Sequence, residues 1–393
     1  VRFQYFFIVV ALFFATSVSG QYLSEKAEIS LLTYAPVNEI HTVFGHSSVR
    51  VFDPERQLDI VFNYGMFDYA APNFTLNFIK GKLNYSLGIQ NFRDVVAYSD
   101  YRNQTVSEQV LNLDNRQKQE IYDFLQNNYK PENRYYLYDF FFDNCATRIR
   151  DILDTTLTNR LSYDKVAVEK NVTFRELLRE FTQIQPWLEF GIDLVLGLPT
   201  DKKATFEQQM FLPKYLNESF AVGTIITADT TKKLVQITRP VHLADEVNET
   251  GFSITPMLLF WLFFGVTLIL NFVITKSRIT KIWNGTFALI TGLAGVVILL
   301  MWFGTEHVPT KNNLNVIWCF PTHLIAAFWI WKSASKPMYF RIFTVVNILL
   351  LITFPVFPQQ LPIPSIPLLL MLITIGLMQS NLPFLKRFTT KTL

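Results

Sequence analysis

Residues 138–153 read YDFFFDNCATRIRDIL. Aromatic residues run into Asp143 and Asn144, a cysteine follows, and the stretch after it reads as a helix. Cys145 therefore falls at or near a helix N-terminus, directly after a polar turn. A structural cysteine usually lies inside an apolar run or has a bridging partner. The chain has only two cysteines, and the other, Cys319, sits far away in an apolar segment. Unpaired N–H groups at a helix start favour the thiolate, the form that attacks carbonyls. Around this helix the segments order themselves. SVRVF, DIVFNYG, KLNYSLGI and FRDVVAYS read as strands, and Asp114–Tyr129, Cys145–Leu157 and Thr173–Gln183 as later helices. Strands first and helices later predict an α+β domain. GTIITADTTKKLVQITRP reads as a late hairpin.

A thiol nucleophile needs a base, and this region offers only His41, His46 and His242. His46 is the best placed. In FGHSSVRVF it opens a strand, with Val49 and Val51 alternating after it. The next strand, DIVFNYG, carries Asn63, a side chain able to orient an imidazole. His41 is a second candidate, for orientation or substrate contact. Tyr34 and Asn144 are candidates for the surroundings of a developing oxyanion, with the amide of Cys145. A single cysteine or histidine more often packs than reacts, and it is the polar lead-in and the helix start that raise Cys145 above that reading. No clustered Cys/His spacing, H-E-x-x-H, G-x-S-x-G or phosphate-cradling glycine loop is present, so no metal and no cofactor is expected.

Composition adds a membrane. Half of the 393 residues are hydrophobic, 37 are phenylalanine, and the net charge is only +3, without the basic face that nucleic-acid binding needs. Residues 1–20 have the charged, apolar and small-residue order of a signal peptide. From residue 254 onward, apolar runs predict five spans near 255–275, 284–303, 316–331, 341–358 and 364–381. Lys276, Arg278 and Lys281 lie between the first two, Lys332, Lys336 and Arg341 between the third and fourth, and Lys386, Arg387 and Lys391 after the fifth. The alternate loops, 304–315 and 358–364, carry one Lys and one Glu between them. The positive-inside rule then puts residues 21–253 outside the cytoplasm, in agreement with the signal peptide. The expected division is 1–20 signal, 21–253 periplasmic domain and 254–393 transmembrane domain. The outer loop GTEHVPTKNNLN concentrates Glu306, His307, Asn313 and Asn315 at the membrane surface, where such groups are costly unless used. It is a second candidate substrate-contacting region, its plain alternative being a helix-capping loop.

GHSSVRVF early and DNCATRIRDIL late, with His before Cys, is similar to the circularly permuted papain-like group. More closely, the order LLTYAPVNEIHTVFGHSSVRV, FNYGMFDY, FIKGKLNYSLGI, DFFFDNCATRIRDIL, GIDLVLGLPTD, MFLPKYL and a multi-span end carrying EHVPTKNNLNVIW resembles the Lnb family of lipoprotein N-acyltransferases of Bacteroides-type bacteria. The resemblance covers almost the whole chain. It implies a permuted papain-like periplasmic domain followed by an all-α domain of five helices in the inner membrane. It also implies a thiol-dependent transacylase. A phospholipid is the acyl donor, Cys145 carries the chain as a thioester, and the α-amine of a diacylated lipoprotein accepts it. Two other classes fit the Cys–His pair less well: a membrane-anchored peptidase or peptidoglycan amidase, which would need one anchor rather than five, and a non-enzymatic envelope assembly or sensor protein.

Overall fold

The computed structural model describes residues 22–39, 42–68, 70, 72–158, 160–227, 230–245, 254–274 and 277–383. The expected signal peptide and the basic residues after the fifth span lie outside this set, as do Lys276 and His41.

An antiparallel sheet of seven strands forms the frame of the outer domain. The strands are β1 (Glu28–Tyr34), β2 (His46–Asp53), β3 (Leu58–Met66), β4 (Asn84–Asn91), β5 (Val106–Leu111), β6 (Tyr135–Leu137) and, last in the chain, β10 (Val235–His242), in the order β10-β5-β1-β2-β3-β4-β6. A small second sheet pairs β7 (Leu161–Tyr163), β8 (Gly223–Ile226) and β9 (Thr231–Lys233). The late hairpin is therefore real, but its second arm continues into β10, which leaves to pair with β5.

Helices are interleaved with the strands rather than following them: α1 (Phe74–Lys80), α2 (Phe92–Tyr101), α3 (Asn115–Tyr129), α4 (Cys145–Leu157), α5 (Phe174–Thr182), α6 (Pro186–Val195) and α7 (Pro213–Ala221). FRDVVAYS, expected as a strand, is α2. Its buried residues are Val95 and Ser99, four apart, which is helical rather than strand spacing. The main core lies between α3, α4 and the sheet, with Ile149, Ile152 and Leu153 of α4 packed against Ile29, Leu31, Val49, Val51 and Phe62. Strand residues two apart share a face, so β1 and β2 each contribute one row.

Five helices follow: α8 (Pro256–Leu268, prolonged by a π-turn to Val273), α9 (Arg278–Gly304), α10 (His323–Trp331), α11 (Pro337–Thr353) and α12 (Ser365–Gln379). Three of these segments, Pro256–Val273, Arg278–Gly304 and Pro337–Val356, are long and apolar enough to cross a bilayer. The third expected span is not one continuous helix. A 3₁₀ turn at Leu314–Ile317 gives way to a break, and only the nine residues of α10 are helical. Pro321 precedes that helix, and a proline supplies no N–H to continue one. Nine residues rise about 13 Å, under half of the roughly 30 Å hydrocarbon core.

The outer domain is fastened to this bundle by a polar junction at the end of α6. Asn313 donates to Leu194 O (2.8 Å) and accepts from Gln359 and the amide of Asn315. Asn315 donates to the Asp193 and Leu194 carbonyls, and its oxygen accepts from Trp318 Nε1. These amides take up carbonyls that a helix C-terminus leaves unpaired. Arg175, fully buried, pairs with Asp193 (3.1 Å) and Asp201 (2.9 Å), while Arg179 joins Asp193 to Gln360. At Gly197 a Cβ would lie 1.9 Å from Lys311 O, so only glycine admits the loop. The loops after α9 and after α11 thus meet the same face of the outer domain. This is the sidedness that the charge distribution predicts.

Candidate active site

The site is built where the start of α4 meets the start of β2. Asn144 caps α4: its Oδ1 accepts the amides of Ala146 and Thr147, both at 2.9 Å, and Thr147 Oγ1 accepts the Asn144 amide in return. Its Nδ2 donates to Phe140 O and Phe211 O, both at 2.8 Å. Ahead of it, Asp139 ties the turn by accepting the amides of Phe141 and Phe142, and Asp143 holds Arg148 through two bonds. Cys145 is left as the first helical residue, with 9 % of its surface exposed.

Its sulfur accepts hydrogen bonds from the amides of Ser47 and Ala146 and from the His46 side chain. His46 Nε2 in turn lies 2.7 Å from Asn63 Oδ1, and Asn63 Nδ2 donates to Gln90 Oε1 at 2.8 Å. Because Nε2 is engaged by a carbonyl-type acceptor, it carries the proton, which leaves Nδ1 for the sulfur. The sheet register explains the alignment. Val49 pairs with Phe62 and Arg50 with Val61, so the same register sets His46 diagonal to Asn63 on one face. Gly65, at φ 96°, breaks the β3–β4 ladder beside them. Tyr34 pairs with His46 across β1 and β2, its ring 5.5 Å away, and shares a 2.9 Å hydrogen bond with Ser48.

The electrostatics follow from these contacts. Burial alone would push the Cys145 thiol up, yet the His46 charge, the His46 hydrogen bond and the two amides hold it below the ordinary 9.0. Burial likewise opposes charge on His46, but the thiolate and the Asn63 bond keep it above 6.5. Each partner thus biases the other toward its charged form, thiolate and imidazolium. Burial raises the Tyr34 phenol to about 12, so it stays protonated and is a donor, not a base. Cys319, the other thiol, is wholly buried in the bundle core.

Cys145, His46 and Asn63 are thus brought together as expected, with Tyr34 against them. Two other expectations are corrected. Asn144 is 3 % exposed and all of its amide hydrogen-bonding capacity is spent on the cap and two carbonyls, so it positions Cys145 and cannot contact substrate. Asn313 and Asn315 are fully buried and committed to the junction below α6, not to the site. Glu306 and His307 are placed against α1, at the surface: Glu306 N donates to Lys80 O, and His307 Nε2 lies 3.2 Å from Phe78 O. His41 lies outside the described residues. Sequence reasoning missed Gln90, which locks the Asn63 amide so that its oxygen faces His46. The only signal was a polar residue inside the strand NYSLGIQN. It also missed the Ser47 amide, for which no side-chain signal exists.

Two family models match this chain: the Lnb N-terminal periplasmic domain over residues 14–180, and the Lnb transmembrane domain over 247–384. The chain belongs to the Lnb family. Cys145, His46, Asn63 and Gln90 all fall inside the first match and all five C-terminal helices inside the second. An Lnb chain is a membrane-anchored protein with a periplasmic domain, of a family tied to lipoprotein N-acylation. Comparison with curated proteins and with solved structures gave no significant match.

Proposed function

We propose that this Lnb protein is a lipoprotein N-acyltransferase of the inner membrane. It would move an acyl chain from a phospholipid, through a Cys145 thioester, to the α-amine of a diacylglyceryl-cysteine at a lipoprotein N-terminus. The observation that carries the reading is the Gln90–Asn63–His46–Cys145 relay, closed at a helix start and held on a bundle of apolar helices. A site with no interest in lipid does not require a polar junction that fixes it against a membrane domain.

The residues can be given roles in order. The Cys145 thiolate attacks the ester carbonyl. The new oxyanion faces the Cys145 amide, which at the first helical position has no partner within the helix. Collapse breaks the carbon–oxygen bond, and the His46 imidazolium gives its proton to the leaving lysophospholipid oxygen. Neutral His46 then accepts a proton from the incoming amine as nitrogen bonds to the thioester carbon, and the Cys145 thiolate departs. The balance is one ester consumed, one amide formed, and no cofactor. An α-amine has a pKa of roughly 7.7–8.0, so a useful neutral fraction is present near pH 7. Asn63, anchored by Gln90, keeps the ring turned so that Nδ1 serves the sulfur throughout. The permuted papain-like reading of the domain fits this order of His, Asn and Cys.

The test is mass spectrometry of a lipoprotein N-terminal peptide from cells whose only copy of the enzyme is wild type or Cys145→Ser. Triacylated peptide from the wild type and a free amine from the mutant are expected. Fully acylated peptide from the mutant, at equal protein level, would remove Cys145 from the reaction.

A further inference from the structure

Helix α1 differs from the longer helices of the outer domain. None of its residues is buried, and Leu76, Phe78 and Ile79 are 49, 53 and 50 % exposed. Three large apolar side chains in one seven-residue helix are out of keeping with a water-facing surface. Its position accounts for them. Lys80 O accepts the Glu306 amide at 2.8 Å and Phe78 O faces His307 Nε2, two and three residues beyond the end of the spanning helix α9 at Gly304. The His307 ring packs over Gly81, where φ is 68° and an added Cβ would stand 3.1 Å from the ring. Trp302 and Phe303, stacked at 4.9 Å and with Phe303 73 % exposed, lie at that end of α9, and aromatic residues of this kind are enriched at bilayer interfaces. Lys80 and Lys82 adjoin the apolar residues in sequence, and Lys82 pairs with Glu306 at 3.5 Å.

From α1 a continuous row of rings leads inward. Phe78 stacks on Phe74 (6.3 Å), Phe74 meets Phe67 (5.7 Å), Phe67 meets Tyr85 (5.2 Å), and Tyr85 stacks on Tyr138 at 4.3 Å. Tyr138 packs against the buried cluster that contains Cys145. We propose that α1 is seated in the outer leaflet of the bilayer, and that the ring row from Phe78 to Tyr138 is the path by which a phospholipid acyl chain reaches Cys145. The seat stands on geometry alone. The path rests on the acyl-transfer reading above.

The seat is tested without chemistry. Single spin labels are placed at Leu76→Cys, Ile79→Cys and, as the water-facing control, Val166→Cys (97 % exposed), in full-length protein carrying Cys145→Ser and Cys319→Ala. In phosphatidylethanolamine/phosphatidylglycerol nanodiscs, labels at 76 and 79 are expected to favour collision with oxygen over a water-soluble nickel chelate, and the label at 166 the reverse. Nickel accessibility at 76 and 79 equal to that at 166 overturns the seat, whatever the enzyme does. The path is tested by Phe67→Asp and Tyr85→Asp in the active enzyme, with intact folding checked by iodoacetamide labelling of Cys145. A tenfold or greater rise in KM for vesicle phospholipid is expected. An unchanged KM overturns the path and leaves the seat and the acyl-transfer reading standing.

Discussion

Removal of the Asn63 side chain is the perturbation that isolates the geometry from the nucleophile. In Asn63→Ala the 2.7 Å contact to His46 Nε2 is lost and Gln90 Oε1 loses the amide it accepts from. Cys145, the helix cap and the sheet register are untouched. A hydrogen bond to a charged partner contributes about 1.5–3 kcal/mol. The bond is to the imidazolium that forms the ion pair, so its loss acts on the reactive state. At 1.36 kcal/mol per tenfold, thioester formation should slow roughly 10- to 150-fold. The assay is single-turnover transfer of a labelled acyl chain from phospholipid to enzyme, quenched in acid and counted on the protein. Asn63→Asp keeps an acceptor at the same place and should recover most of the rate, with His46 held further up by the added charge. If Asn63→Ala reacts within twofold of wild type while His46→Ala loses activity by a thousandfold, Asn63 is not orienting the imidazole, and the relay is reduced to two residues.

Other outcomes follow from the same structure. The pH dependence of Cys145 alkylation by iodoacetamide should show a midpoint below pH 9.0, because the partner charge lowers the thiol; in His46→Ala, where burial acts without that charge, the midpoint should rise above 9.0. In wild type the ion pair persists above the lowered thiol value and is lost as pH rises through the His46 value, which lies above 6.5, so thioester formation should fall on that alkaline limb. Arg175→Met leaves Asp193 with only Arg179 and takes from Asp201 its Arg175 partner, and should destabilise the protein by about 3–5 kcal/mol in thermal or denaturant unfolding, whereas Lys26→Met at an exposed pair should leave the unfolding midpoint unchanged. Gly197→Ala drives a methyl group into Lys311 O and should loosen the outer domain from the bundle, read as faster proteolytic cleavage between them in nanodiscs. Cys319→Ala, at a buried position in the bundle, should leave acyl transfer within twofold of wild type.

Much of the site was legible because its chemistry is local. The cap turn before Cys145, the histidine opening a strand and the asparagine on the next strand each leave a mark in the sequence, and strand pairing brings the last two together. What could not be read is what depends on the packing between distant segments. Asn144 carries the residue type of a cap and of an oxyanion donor alike, and only the carbonyls of Phe140 and Phe211 decide for the cap. Asn313 and Asn315 look like exposed loop polars, yet α6, more than a hundred residues earlier, arrives to bury them. The α2 segment misled because Phe92 and Val95–Val96–Ala97 mimic a short apolar strand, and the helix is chosen by which residues the core accepts. The third span reads as continuous in hydropathy, which does not register that Pro321 interrupts the helix.

The central claim is that Cys145 carries an acyl chain, and it is tested most directly by intact mass of the purified enzyme after incubation with a single defined phospholipid and no amine acceptor. The account predicts one added acyl mass, mapped to the peptide containing Cys145, removed by neutral hydroxylamine and absent from Cys145→Ala. Lysophospholipid release with no adduct on Cys145, or an adduct that survives in Cys145→Ala, would contradict it.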